Sequence, residues 1–75
     1  MKIIYTAHAQ QRMAEPDRSI TTQEVEATVN EPDIRRPGRG EVRVADKRIG
    51  KRRVSIVYRQ EGDSIIVITA VLNKG

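Results

Sequence analysis

The sequence predicts an α+β fold of order β-α-α-β-β-β, with two short helices packed on one face of a mostly antiparallel sheet, and three observations carry that prediction. Helix-capping chemistry occurs twice within the first 24 residues. Beyond Asp33 the apolar pattern changes from helical spacing to a period of two. Glycine-centred turns, Ile49-Gly50-Lys51 and Glu61-Gly62-Asp63, then separate the alternating segments. Helices followed by a run of strands segregate the helices to one side of a sheet.

The elements follow in order. KIIY (2–5) is a short run rich in β-branched residues and predicts a strand. Thr6 is placed to cap a first helix over 7–15, which ends before Pro16 because proline lacks an N–H and biases the preceding residue away from helical angles. Ala9 and Met13 form its apolar stripe. Thr21 and Glu24 have the spacing of a capping box, and Ile20 and Val25 occupy the two staple positions around it. The second helix runs through Val25 and Val29 until 30-NEPD-33. Val42 and Val44 alternate with Glu41 and Arg43, and Val54, Ile56 and Tyr58 alternate with Arg53, Ser55 and Arg59. The last run, 65-IIVITAVL-72, is apolar on both faces apart from Thr69, which predicts a strand central in the sheet or sandwiched between helices and a partner. The PGRG stretch (37–40) reads as a mobile loop.

Seventy-five residues make a single domain, 1–75, and a chain of this size buries only about 60% of its unfolded surface, so a partner chain or a homodimer is a plausible source of further burial. There is no cysteine. The N-terminal MKIIYTAH has a three-residue apolar run, far short of a signal core or a span of roughly 20 residues, so no membrane association and a cytoplasmic location are expected.

Charge is unevenly distributed. Residues 1–34 hold three basic and six acidic side chains, residues 35–59 hold ten and two, and residues 60–75 hold one and two. A basic middle segment of that kind attracts polyanions, chiefly nucleic acid, acidic protein segments or anionic lipid. Within it, 47-KRIGKRR-53 has five basic residues in seven. Arg39, Arg43, Lys47, Lys51, Arg53 and Arg59 are the candidate nucleic-acid-binding residues, and Arg43, Arg53 and Arg59 have the parity opposite to the apolar residues of their strands, which predicts a groove on the exposed side. Two tyrosines and no Phe or Trp leave no platform for stacking successive bases, and Tyr58 has the parity of a core residue.

The one histidine, His8, falls at the second position of the first helix if Thr6 caps it, where the positive helix end favours the neutral imidazole and attracts phosphate. Arg12 lies one turn on, with Gln11 beside it. Together they suit phosphodiester chemistry, with His8 poised as a general base. Each also has an ordinary structural reading: His8 stacked on Tyr5 or bonded to a strand carbonyl, and Arg12 paired with Glu15 or Asp17. A single histidine without cysteine gives no metal-ligand spacing, and neither a glycine-rich phosphate loop nor a nucleophile motif is present, so no metal and no cofactor are expected.

The ordered pieces 8-HAQQRM-13, Arg18-Ser19-Ile20-Thr21, Val25 to Val29, 31-EPD-33, the RPGRG loop, 54-VSIVY-58 and 66-IVITA-70 span nearly the whole chain. With them the chain resembles a family of small prokaryotic proteins of unassigned function related to the RelE/ParE-like toxin superfamily. The resemblance implies a compact toxin-like domain beside an antitoxin, acting on RNA, in some members at the ribosome, by metal-independent cleavage through 2′-hydroxyl attack. It would make His8 the base or acid and Arg12 the phosphate clamp. RelE-like catalysts keep active residues in the late strands and tail, where this chain offers only Lys74. ParE-like relatives inhibit a topoisomerase without cutting RNA, and the alternative is a non-catalytic module that binds nucleic acid or an acidic protein partner.

Overall fold

The computed structural model describes residues 2–74 of the chain, with the side chain of Lys74 outside the described set. The order is β1 (Lys2–Tyr5), α1 (Ala7–Ala14), α2 (Thr22–Asn30), β2 (Ile34–Pro37), β3 (Val42–Ile49), β4 (Arg52–Glu61) and β5 (Ser64–Lys74). The five strands form one sheet in the order β1-β5-β4-β3-β2. β1 pairs with β5 in parallel, and the other three pairings are antiparallel. β5 is an interior strand, as its two apolar faces require, and β4 holds the middle position.

The helix termini have the chemistry their residues dictate. Thr6 is extended and its hydroxyl accepts from the Ala9 N–H at 3.1 Å, while the same hydroxyl donates to the Ile68 carbonyl on β5 at 3.1 Å. One side chain therefore starts α1 and ties it to the sheet. Glu15, before Pro16, has left the helix for extended angles, φ −61° and ψ 134°. Ser19 takes a left-handed φ of 44°, a conformation that costs a non-glycine residue about 1 kcal/mol and here turns the chain so that Ile20 enters the core. The capping box of α2 is complete: the Thr21 hydroxyl accepts from the Glu24 N–H at 3.1 Å, and the Glu24 carboxylate accepts from the Thr21 N–H at 2.9 Å.

Both helices cover one face of the sheet, α1 over β5 and β1 and α2 over β4 and β3. The core between the layers holds Ala9, Met13, Ile20, Val25 and Val29 from the helical segment, and Ala45, Val54, Ile56, Tyr58, Ile65, Val67 and Ala70 from the strands. The opposite face has no helix. It carries half-buried Val42, Val44, Val57, Ile66 and Val71, with Ile4 (39% exposed) and Ile34 (49% exposed) on its two edge strands.

Two features depart from the sequence expectation. β2 was not anticipated, because its four residues, IRRP, have no apolar alternation and are all exposed. Pairing with β3, rather than any propensity of its own, makes it a strand, and Pro37 sits at the end of an edge strand where it removes no interior bond. The second departure is the parity of β3. Its buried face is Ala45, flanked by Arg43 and Lys47, while Val42 and Val44 point to the open face.

Candidate nucleic-acid interface

Antiparallel partners lie on the same face of a sheet, so the register assigns every cation to a side. Arg43 pairs with Tyr58, and Lys47 with Val54, which puts both on the helix-bearing side. Arg59 pairs with Val42, and Arg53 with Arg48, on the open side. The single exposed groove expected from Arg43, Arg53 and Arg59 is therefore not formed: Arg43 faces away from the other two. The error arose because β3 carries valines on the open face and a small alanine in the core, so the larger apolar residues indicated the wrong side.

The remaining candidates are dispersed. Lys47 donates from Nζ to the Glu31 carbonyl at 2.8 Å, just past the end of α2. Arg59 is held by Glu61 at 3.0 Å. Arg39 is exposed in the β2–β3 loop, and Lys51 is exposed in the β3–β4 turn. Among the described residues, Arg35, Arg39, Arg43, Lys47, Arg48, Lys51 and Arg53 have no carboxylate at ion-pair distance, so the positive excess of the middle segment is largely uncompensated.

On the helix-bearing side that excess becomes a cleft. Arg35, Arg36, Pro37, Arg43, Tyr58 and Gln60 line about 290 Å³ where the end of β2 and the start of β3 meet the end of β4, with the Arg36 guanidinium itself turned to Asp46 on the open face. Tyr58 is 2% exposed and forms part of the wall as a core residue, in keeping with its parity. Arg35 donates from Nη2 to the Val29 carbonyl at 3.1 Å, which anchors the β2 edge to the end of α2. Arg35 and Gln60 were not singled out by the sequence, since Arg35 acquires its position only through the β2–β3 register.

His8 is exposed at the start of α1, and no hydrogen bond involves its ring among the described residues. Arg12 pairs with Glu15 at 3.0 Å, and the same carboxylate is shared with Arg18 at 3.3 Å. Arg18 in turn donates to the Ala70 carbonyl at 2.9 Å. Arg12 thus belongs to a structural network that fastens the α1–α2 turn to β5. The helix start that carries His8 is connected to the cleft by one row of the sheet, in which Tyr5, Val67, Tyr58, Arg43 and Pro37 are successive partners. Three strand spacings separate Tyr5 from Arg43, about 14 Å, and Val67 and Tyr58 between them are buried in the core.

Among the described residues the one carboxyl with a shifted titration is on the open face. Asp46 is 6% exposed and receives two hydrogen bonds from Arg36, at 2.7 and 3.1 Å, and one from the Ser55 hydroxyl. The Arg36 hydrogen bonds hold its carboxyl below the usual range, burial acts against them, and Ser55 and the nearby positive charges add to the lowering. The signal for this cluster was present as one of only two acids among residues 35–59. Elsewhere, burial and then the charge of Glu26 raise the Tyr5 hydroxyl above its ordinary value. No three His, Cys, Asp or Glu side chains cluster among the described residues, and no helix there is long and apolar enough to cross a membrane.

Neither a curated protein nor a solved structure matches the chain. A family does, over residues 5–71, from the end of β1 to the last core strand and so across both helices and the arginine cleft: the chain belongs to the family described as domain of unknown function DUF4258.

Proposed function

We propose that the protein is a RelE/ParE-like toxin-type domain that binds RNA across the helix-bearing side and cleaves it without metal, His8 acting on the ribose 2′-hydroxyl. The observation that carries this reading is the arginine cleft beside Tyr58, set on the same cross-strand row as the start of α1. Arg43 and Arg35 offer planar donors to phosphate oxygens, and His8 is exposed at the start of α1. In the reaction His8 takes the 2′-hydroxyl proton, the 2′-oxygen attacks the adjacent phosphorus to form a 2′,3′-cyclic phosphate, and the P–O5′ bond breaks with the leaving oxygen protonated by water, while the cleft guanidinium groups hold neighbouring phosphates of the strand. An antitoxin would be the protein partner, and the uncovered sheet face with exposed Ile4 and Ile34 is the surface such a chain, or a second copy, would use.

The test is RNA cleavage in the presence of a chelator. His8→Ala is expected to lower the rate by about 10²–10⁴-fold, the usual contribution of a positioned acid or base. Equal cleavage by wild type and His8→Ala removes His8 from the mechanism. A second reading, a non-catalytic module that binds nucleic acid or an acidic partner, is supported by the engagement of Arg12 with Glu15, which leaves His8 without its expected cation. It predicts no cleavage, together with affinity for RNA that falls steeply with salt, by a slope of about 0.7 per phosphate contact on single strands.

A further inference from the structure

A second basic cleft lies at the β3–β4 hairpin, remote from Tyr58. It encloses about 270 Å³ and is lined by Arg48, Lys51, Arg52, Arg53 and Asn73. The register places Arg48 directly opposite Arg53, and Arg53 opposite Asn73, so two guanidinium groups and an amide share one row on the open face. Like charges directly opposite one another across strands destabilise a sheet, and Lys51 in the intervening turn adds a third.

Among the described residues that arrangement is relieved only at longer range, by the charge of Asp46 on the same face as Arg53. Among the described residues no carboxylate stands at ion-pair distance from Arg48, Lys51 or Arg53. Arg48 donates from Nε to the Gly50 carbonyl at 3.4 Å, a contact that keeps its stem over the turn. Arg52 has its terminal nitrogen committed to Glu24 at 3.4 Å and to the Arg18 and Ser19 carbonyls, while its buried Nε has no acceptor. The hairpin itself is rigidly specified: Gly50 at φ 63° occupies the first of two turn positions, the sign pattern of a tight type II′ connection.

Opposed cations in a concave site call for one compact multivalent anion between them. The row spans two strand spacings, about 10 Å, which suits several negative charges on one small group better than single carboxylates spread along a peptide. Guanidinium forks match pairs of phosphate oxygens, and an amide N–H adds a neutral donor. We propose that the hairpin cleft is a binding site for clustered phosphate, the chemistry shared by a free polyphosphate, the 5′ end of an RNA and its backbone. The site is independent of the cleavage reading, because it uses neither His8 nor Arg43.

The experiment is calorimetric titration of the whole chain with inorganic triphosphate at low salt. Wild type is expected to bind one equivalent at this site, Arg53→Gln to bind it about tenfold more weakly, as loss of a charge-assisted contact implies, and Arg48→Gln/Arg53→Gln to lose that equivalent, while Lys2→Gln, on the exposed first strand, binds as wild type. Without ligand the double variant should melt at a higher temperature than wild type, since the opposed charges are gone, and triphosphate should raise the wild-type melting temperature only. Equal binding by the double variant and wild type, loss of binding in Lys2→Gln, or competition by polyglutamate as effective as triphosphate overturns the site. Two oligoribonucleotides of one sequence, with 5′-triphosphate and with 5′-hydroxyl, identify the source. A triphosphate advantage that the double variant loses assigns the site to RNA ends, equal weakening of both assigns it to the backbone, binding of inorganic triphosphate with neither RNA affected assigns it to a free polyphosphate, and retention of every affinity by the double variant overturns the proposal.

Discussion

The two faces of the sheet come from the same three long strands and have opposite economies of burial. On the helix-bearing face Val54, Ile56 and Val67 are fully buried and surrounded by Val25, Val29 and Ala9. On the open face Val42, Val44 and Val57 are only half-buried, and the most buried residues are a carboxylate and a hydroxyl, Asp46 and Ser55. One face is organised by apolar packing and the other by a hydrogen-bonded ion pair. The two proposed sites divide along the same line: the Tyr58 cleft is on the packed side, and the Arg48–Arg53 row is on the polar side.

Paired substitutions sharpen the contrast. Ile56→Ala, in the fully buried layer, should cost about 2–5 kcal/mol in urea denaturation, whereas Val57→Ala, one residue along the same strand and facing outward, should cost less than about 1.5 kcal/mol. Equal losses would mean that the open face is covered in solution, as in a dimer. Asp46→Asn should cost about 1–3 kcal/mol at neutral pH, because it weakens the charged hydrogen bonds from Arg36. The folded carboxyl titrates below its unfolded value of about 3.9, so this stability is fully present above that pH and is lost as acid carries the group through its folded value. The gap between wild type and Asp46→Asn should close in that acid range; a constant gap would detach the effect from the ionised carboxylate. The smallest of these effects is Thr21→Ala, about 1 kcal/mol from the lost cap of α2, read in the same denaturation series.

Local chemistry made much of the fold legible. Thr6, Thr21 and Glu24 announce both helices because a cap is read within four residues, and Gly50 and Gly62 mark the hairpins because their turns demand positive φ. β2 was illegible because its pairing with β3 is its only reason to be extended. The site was legible in composition and illegible in placement. A basic stretch from Arg35 to Arg59 is evident from the letters, but the side each arginine faces depends on which of two apolar faces the helices cover, and Val42 and Val44 are larger than the Ala45 that is buried. Arg12 illustrates the same limit, since one-turn spacing offered it equally to His8 and to Glu15's side of the helix, and the carboxylate holds it.

The parallel pairing of β1 with β5 sets the order in which this chain can be completed. The first strand has no hydrogen-bonded neighbour other than the last, and the last must slot between the first and β4. During synthesis the N-terminal residues therefore wait, unpaired, until the final stretch has emerged, and the slowest contact in sequence distance is also the one that closes the core. A nascent chain stalled before Ser64 would hold β4 with a bare apolar edge and α1 without the strand it mainly packs on, a species prone to association with other unfinished chains.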